Sequence, residues 1–491
     1  MSSHTNSKAG ARLTVAAFYG ALWLLLAGTW FGWAQFNPAD ERRVFAPVPQ
    51  LNRRLPETLN LYLRDHFGFR GWFVTLNALL RAKLLHTSTT PKVIVGKQGF
   101  LFYAAEGAVE NYMGVKPIGD CELESWVQLF ERRARWLASR NVPLVVALVP
   151  DKESVYPEMM PSGIAYSGPS KRRADRFAEA IRSRTHISLV HLRPVLIDEK
   201  KRHLTYLLTD THWSQWGAYV GYRELLRAIN QAAPQLAKSI GRPLEMPDLS
   251  FGTDRYPGDL NRMLGLNTIA PEVVNTLEPL HPAMITGNPD TVIAAGSSNP
   301  SQPRLVMFRD SFGVGLIPYL GTHFSHIYAP TTWGFDPQDV LREKADLVVI
   351  EMVERAFNDV VPTDPENALR LPSEAIVNPR VWGILDAPQP GVNVSGSVVH
   401  VSGWAMAVQP KAIERIEVWL DSESIGEMKL HLPRPDVERV QPGMRDSSAA
   451  GVELTFDSRR LSNGRHQLTW KATDSEHRTA ELGRRQFCVA N

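Results

Sequence analysis

The 491-residue chain is poor in cysteine: it has only Cys121 and Cys488, and no cysteine–histidine spacing of the kind that holds zinc. Two cysteines so far apart belong to different domains. The expected state is two ordinary small side chains rather than a disulfide. An excess of one charge is also missing, since 54 Lys and Arg against 51 Asp and Glu leave a net +3. No block of like charges is long enough to act as an interaction tail, so no nucleic-acid partner is expected. With 21% charged and 44% hydrophobic residues the composition is that of an ordinary globular protein, and the length suits two or three domains.

Long apolar runs are absent with one exception. Leu13 to Ala34 holds no charged residue over 22 positions, enough for a helix to cross a hydrocarbon layer of about 30 Å. Lys8 and Arg12 precede it, and Asp40, Glu41, Arg42 and Arg43 follow with no positive excess. That asymmetry leaves the N-terminus in the cytoplasm and sends the rest of the chain across. A cleaved signal peptide would export the chain equally, but the apolar stretch is longer than the usual signal core and no clear small-x-small site follows it. Residues 1–36 are therefore read as a cytoplasmic tip and an uncleaved transmembrane anchor.

Beyond a proline-marked linker (Pro38, Pro47, Pro49), the spacing predicts helix from Leu55 to Leu85, broken near His66–Gly68, and a hairpin over Val93–Tyr103. Leu123, Trp126, Val127, Phe130, Ala134 and Leu137 recur at helical spacing. LVVALV (144–149) is a continuous apolar run of the sort that fills strands buried on both faces, and LVVIEM (347–352) reads as a further buried strand. ISLVHL (187–192), LTYLL (204–208) and RLVMF (304–308) read as further strands, with helices over 170–183 and 214–230 and another starting near Gly313. Strands alternating with helices argue for an α/β domain with a mostly parallel sheet and flanking helices. The stretch 234–303, rich in Pro, Gly and Asn, reads as an insertion. Past Pro388 the pattern changes to apolar/polar alternation punctuated by turns such as Asn463–Gly464. This predicts an all-β, Ig-like sandwich over 388–491, bounded by the Asp386–Gly391 stretch.

Two short motifs carry chemistry: TDTHWSQWG (209–217) and FRDSFGVG (308–315). Ser311 follows a predicted strand and precedes a helix, the carboxyl edge where α/β sheets place their sites. Its N–H at the start of a helix suits an oxyanion, and Gly313 and Gly315 are expected to let substrate approach the backbone. Asp210 and His212 are two apart in a loop, so their side chains point the same way. His212 can serve as base to Ser311 while Asp210 orients the imidazole. Taken singly each piece has a plainer reading, an N-cap for Asp-Ser-Phe and a polar turn for Asp-x-His. The pairing of nucleophile, base and acid within one inferred sheet favours catalysis.

Together these motifs resemble the alginate O-acetyltransferase AlgJ/AlgX family and its SGNH-hydrolase-like, DHHW-type domain. The resemblance runs from about Leu55 to Phe357 through DHFGFR (65–70), GKQGFLFY (96–103), VPDKESVYPEMMP (149–161), DTHWSQWGAY (210–219), GDL (258–260) and RDSFG (309–313), in order. It implies a domain over 37–387 in which Ser311 takes up an acetyl group, His212 is the base and Asp210 the acid. The serine follows the Asp/His pair, as in a circularly permuted SGNH hydrolase, and Arg309 stands where hydrolases have glycine. Lys152 and Tyr328 are candidate pocket residues. The resemblance further implies a polysaccharide acceptor, a membrane-bound O-acyltransferase partner that supplies acetyl groups, and a catalytic domain on the periplasmic side of a bacterial inner membrane. No cofactor and no metal are called for. Trp404, Trp419 and Trp470 are candidates for a sugar-stacking face on the β-domain, against the plainer reading of core tryptophans. Two rival readings stand beside the transferase: a polysaccharide acetylesterase with the same three residues, and a non-catalytic polysaccharide-binding scaffold.

Overall fold

The computed structural model describes residues 3–31, 45–66, 68–166, 172–266, 270–358, 381–396, 398–407, 412–440 and 447–490. At the N-terminus Ser3–Trp30 is one helix. Among the described residues no helix is long and apolar enough to cross a membrane, so the expected anchor is not seen as a span; its last residues, 32–34, and the 36/37 boundary lie outside the described residues. The predicted helix over 55–85 is present and broken where expected, as Leu55–His66 and Arg70–Leu79 followed by one wider turn over Leu80–Leu84. The hairpin over 93–103 consists of antiparallel strands β1 (Val93–Val95) and β2 (Leu101–Tyr103).

The central sheet is built from β3 (Leu144–Val149), β4 (Ser188–His191), β7 (Met284–Asn288), β8 (Val292–Gly296), β9 (Arg304–Phe308), β10 (His326–Pro330) and β11 (Leu347–Val353), after an intervening two-stranded ribbon of β5 (Leu249–Tyr256) and β6 (Glu272–Pro279). Its order is β4-β3-β11-β9-β10-β8-β7. The five strands from β4 to β10 run parallel, and β8 and β7 add an antiparallel hairpin at one edge. The sheet is thus mixed: it is parallel over most of its strands, and the expectation is corrected at one edge, where the 234–303 excursion returns into the sheet as an antiparallel hairpin instead of staying outside it. Every residue of β3 and β11 is buried, as suits the apolar run of β3, and β11 buries Glu351 among its apolar residues. The helices Asp120–Ala138, Arg173–Arg184 and Gln215–Ala232 pack their apolar stripes into the same core.

The expected strand over LTYLL does not form. Residues 204–213 are a tight irregular loop with a single antiparallel bridge between Tyr206 and Trp213. Its backbone is claimed by its surroundings rather than by a neighbouring strand.

The β-domain is a two-sheet sandwich. Strands β12 (Val381–Ala387), β13 (Asn393–Val394), β14 (Val398–Ala407), β15 (Ile413–Leu420), β16 (Glu423–Glu427), β17 (Lys429–Leu432), β18 (Gly451–Asp457), β19 (Gly464–Asp474) and β20 (Thr479–Val489) form sheets of order β12-β14-β18-β17 and β13-β20-β19-β15-β16. Strand β12 pairs with β14 ahead of the boundary expected at 387/388. The proline-bearing stretch is therefore a turn inside the sandwich, which includes β12 from Val381 onward. The two cysteines, expected to be separate, form a disulfide that joins the helix Asp120–Ala138 to β20. The tryptophans do not share one face: Trp470 lies in the inter-sheet core, Trp404 packs beside Met406, Val437 and Ala450, and Trp419 is covered by the Lys471 ammonium.

Candidate active site

Ser311 follows β9 after only Arg309 and Asp310, and opens the short 3-10 helix Ser311–Leu316. Asp310 caps that helix: its Oδ1 accepts the Phe312 N–H at 2.8 Å, and its Oδ2 accepts the Val353 N–H at 2.8 Å from the end of β11. The capping role expected of Asp-Ser-Phe thus falls on Asp310 and leaves the adjacent Ser311 side chain to the loop that faces it. Beneath them lies Glu351, wholly buried, whose Oε2 accepts the Asp310 N–H at 3.2 Å. Burial, followed by the Asp310 charge, pushes the Glu351 carboxyl well above its ordinary range. Arg309, also buried, donates to the carbonyls of Asp310 and Pro289 at 3.0 and 2.9 Å.

Gly313 and Gly315 do not face substrate as expected. A Cβ at Gly313 would sit 2.7 Å from Arg309 Cβ, and one at Gly315 would sit 2.7 Å from Trp213 Nε1. These glycines let the Ser311 turn pack onto the protein.

The loop 204–213 delivers the other two groups. Ser214 caps the following helix, accepting the Gly217 N–H at 3.1 Å and donating to the Leu204 carbonyl at 2.5 Å, which closes the loop at its base. Glu272 of β6 accepts the N–H groups of Leu208 and Thr209 at 2.9 and 3.0 Å. Lys152, buried, donates from Nζ to the carbonyls of Leu101 and Leu208 at 2.6 and 3.2 Å. Burial lowers the Lys152 ammonium to about 8, against the opposing pull of Asp210, Asp259 and Glu272. It is a brace under the loop rather than a pocket wall. Tyr328, the other candidate pocket residue, lies in mid-strand β10 beneath the Arg342 guanidinium and away from the loop.

So held, the loop brings together the three predicted residues, although His212 and Ser311 are 99 positions apart. His212 Nε2 lies 2.8 Å from Ser311 Oγ, and His212 Nδ1 lies 2.7 Å from Asp210 Oδ1. Asp210 is buried, His212 half-buried and Ser311 exposed. Asp210 Oδ1 also accepts the His212 N–H at 2.8 Å and its Oδ2 the Asp259 N–H at 2.7 Å. Burial pushes this carboxyl up, but the hydrogen bond and charge of His212, aided by those two N–H groups, outweigh it and hold the carboxyl at about 2. The imidazole packs on the Phe312 ring at 4.8 Å, and the Arg355 guanidinium lies 5.4 Å from the same ring. Arg355 is tethered by Asp151 and by Glu106.

Sequence reasoning missed Glu272 and gave Asp259 no role, though Gly258-Asp259-Leu260 stood among the motifs. Gly258 has φ +67°, and a Cβ there would lie 2.3 Å from the Thr209 carbonyl oxygen. That conformation and close approach explain why a glycine stands there; in the sequence the available signal was the Gly-Asp pair itself.

A serine at the carboxyl edge of an α/β sheet, hydrogen-bonded to a histidine that is oriented by a buried aspartate, defines an SGNH-hydrolase-like domain, here followed by a β-sandwich. Residues 93–301 match the family described as the SGNH hydrolase-like domain of the acetyltransferase AlgX; this range holds Asp210 and His212, and Ser311 lies just beyond it. The chain is 27% identical over 354 residues to a probable alginate O-acetylase AlgJ of Pseudomonas syringae pv. tomato, covering 71% of this chain and 81% of that one. It is 27% identical over 312 residues to the protein of that name from Pseudomonas aeruginosa, covering 61% and 73%. A solved O-acetyltransferase domain of Pseudomonas putida AlgJ aligns at 21% identity over 56% of this chain and 97% of that chain, with a TM-score of 0.38. By these comparisons the chain is similar to the AlgJ/AlgX-like family.

Proposed function

We propose that this protein is an O-acetyltransferase that moves acetyl groups onto hydroxyls of an exported polysaccharide through an acetyl-serine at Ser311. The observation that carries the reading is the continuous hydrogen-bonded chain from Ser311 Oγ through His212 to Asp210, with spacings of 2.8 and 2.7 Å. Relatives named as alginate O-acetylases support acetyl transfer to polysaccharide. His212 Nε2 takes the Ser311 proton as Oγ attacks the acetyl carbonyl, and Asp210 stabilises the imidazolium. The Phe312 N–H is engaged by Asp310, so the Ser311 N–H is the nearest backbone donor for the tetrahedral oxyanion. Collapse expels the donor's leaving group, which takes the proton from His212. A sugar hydroxyl then gives its proton to His212 and attacks the acetyl-serine. Collapse of the second tetrahedral adduct breaks the bond to Oγ, which recovers that proton.

Acetyl-CoA is confined to the cytoplasm, so an exported enzyme draws on acetyl groups passed across the membrane, and a membrane-bound O-acyltransferase is the partner suited to that. Export agrees with the apolar run Leu13–Ala34 and with the Cys121–Cys488 disulfide, a bond that persists in oxidising compartments. In this reading the run tethers the catalytic domain to the periplasmic face of the inner membrane.

The decisive experiment is incubation of the full chain with a slow acetyl-ester donor, followed by mass spectrometry of the digested protein. An adduct on the Ser311 peptide that is absent in His212→Ala supports the reading, and acetylation elsewhere overturns it. Adding an oligosaccharide separates the rivals: acetylated sugar marks a transferase, and free acetate alone marks an esterase.

A further inference from the structure

Asp259 is the chemistry-bearing residue of the site left without a task by the scheme above. It begins the helix Asp259–Leu264, and its backbone N–H donates to Asp210 Oδ2 at 2.7 Å. Its carboxylate turns the other way, toward the residue between the two triad members. Oδ1 accepts the Thr211 N–H at 2.7 Å and Oδ2 accepts the Thr211 hydroxyl. These two bonds aim Oδ2 at the imidazole, 3.9 Å from His212 Nδ1. The Leu260 and Asn261 N–H groups both donate to the Thr209 carbonyl at 3.1 Å, so the turn grips the loop on both sides of Asp210.

We infer that Asp259 is a positioning residue whose carboxylate supplies a second negative charge beside the His212 ring, so that the imidazolium formed during acetyl transfer is held between two carboxylates. The inference rests on the Ser311–His212–Asp210 reading and deepens it. Asp210 alone orients the ring through a direct hydrogen bond. Asp259 is not hydrogen-bonded to the ring, and its influence is one of charge at close range in a half-buried site. The other titratable groups facing it are Asp210 and His212 in the loop, Tyr103 of β2, Tyr256 of β5 and Lys152. Burial and then the Asp210 charge push the Asp259 carboxyl up, whereas Thr211 and His212 pull it down. Its charge is therefore tied to that of the imidazole: as the ring gains a proton, the ionised form of Asp259 becomes easier to keep.

The test uses the full chain and Asp259→Asn, which keeps an acceptor for the Thr211 N–H and removes the charge. The His212 ring is titrated by NMR, its signal assigned through His212→Gln, with no acetyl donor present. Loss of a neighbouring negative charge disfavours the imidazolium, so the midpoint is expected to move toward acid. The acid limb of the acetyl-transfer profile should move the same way, with kcat lower by about tenfold and KM unchanged. A midpoint that stays in place overturns the inference, even if activity falls, because the role is then only structural. If Asp259→Asn does not fold, Asp259→Ser carries the same measurement. A shifted midpoint in a protein that transfers no acetyl group would sustain this inference and sink the proposed function instead.

Discussion

Cys121, at the start of a helix in the α/β domain, is bonded to Cys488 on the last strand of the sandwich, 367 residues later. Around the bond, Gly391 packs against Glu122 and Ser125, and Arg465 lies 3.8 Å from Glu124. A link across so long a stretch removes much freedom from the unfolded chain, about 6 kcal/mol in the loop-closure account, of which removing a native disulfide typically loses about 2–5 kcal/mol. Cys121→Ser, Cys488→Ser and the double variant should therefore melt at the same lowered temperature, since each loses the same bond. Calorimetry with and without reductant checks this. Unequal single variants, or no change on reduction, would count against it.

Asp210→Asn keeps the side-chain shape but loses the charge and favours the wrong imidazole tautomer. We expect kcat to fall by about 10³–10⁴-fold with a melting temperature near that of the parent. Acetyl transfer measured beside a thermal scan separates this from unfolding, and a fall of less than about tenfold would argue that Asp210 only shapes the loop.

Lys152 gives a pH signature. Its folded ammonium loses its proton near 8, whereas the unfolded one holds it to its ordinary value of 10.5. Between those limits the unfolded chain binds more protons, so this group makes stability rise with pH, by up to about 1.4 kcal/mol per pH unit. Below pH 8 its contribution is a constant penalty. Replacing it in Lys152→Met should remove that slope from denaturant unfolding measured between pH 8 and 10, and an unaltered slope would show that another group is responsible.

Gly258→Ala would force a Cβ to 2.3 Å from the Thr209 oxygen at a positive φ. The turn must open, which moves the Asp259 N–H off Asp210. Expected are a stability loss of about 1–3 kcal/mol and a larger proportional loss of kcat than of substrate affinity. Urea unfolding and initial rates measure the two. Full activity in a stable variant would mean that the loop holds its shape without this turn.

What could be read from the chain follows from how local the signals are. LVVALV and LVVIEM declare buried strands because each is an apolar run, six residues in the first and four before Glu351 in the second, bounded by helices. DTHW and RDSFG were legible as a pair because each places its chemistry within a few residues of an element end. LTYLL misled because its backbone partners are remote: the Glu272 carboxylate, the Lys152 ammonium and the Leu101 amide satisfy it in place of a strand. The antiparallel return of β7 and β8 was hidden in a stretch rich in Pro, Gly and Asn. The disulfide was hidden because its two ends meet only after both domains have folded.

The antiparallel hairpin also decides how the sheet stops. Strand β7 has every residue exposed and is the last in the order, so its outer rim offers main-chain groups to any extended segment that drifts alongside. Pro282 and Pro289 bracket it, and a proline cannot donate to an incoming ladder. Five residues between two such stops leave too short a runway for stacking copies edge to edge, so a crowded population of this protein is kept from zipping into fibres along that rim.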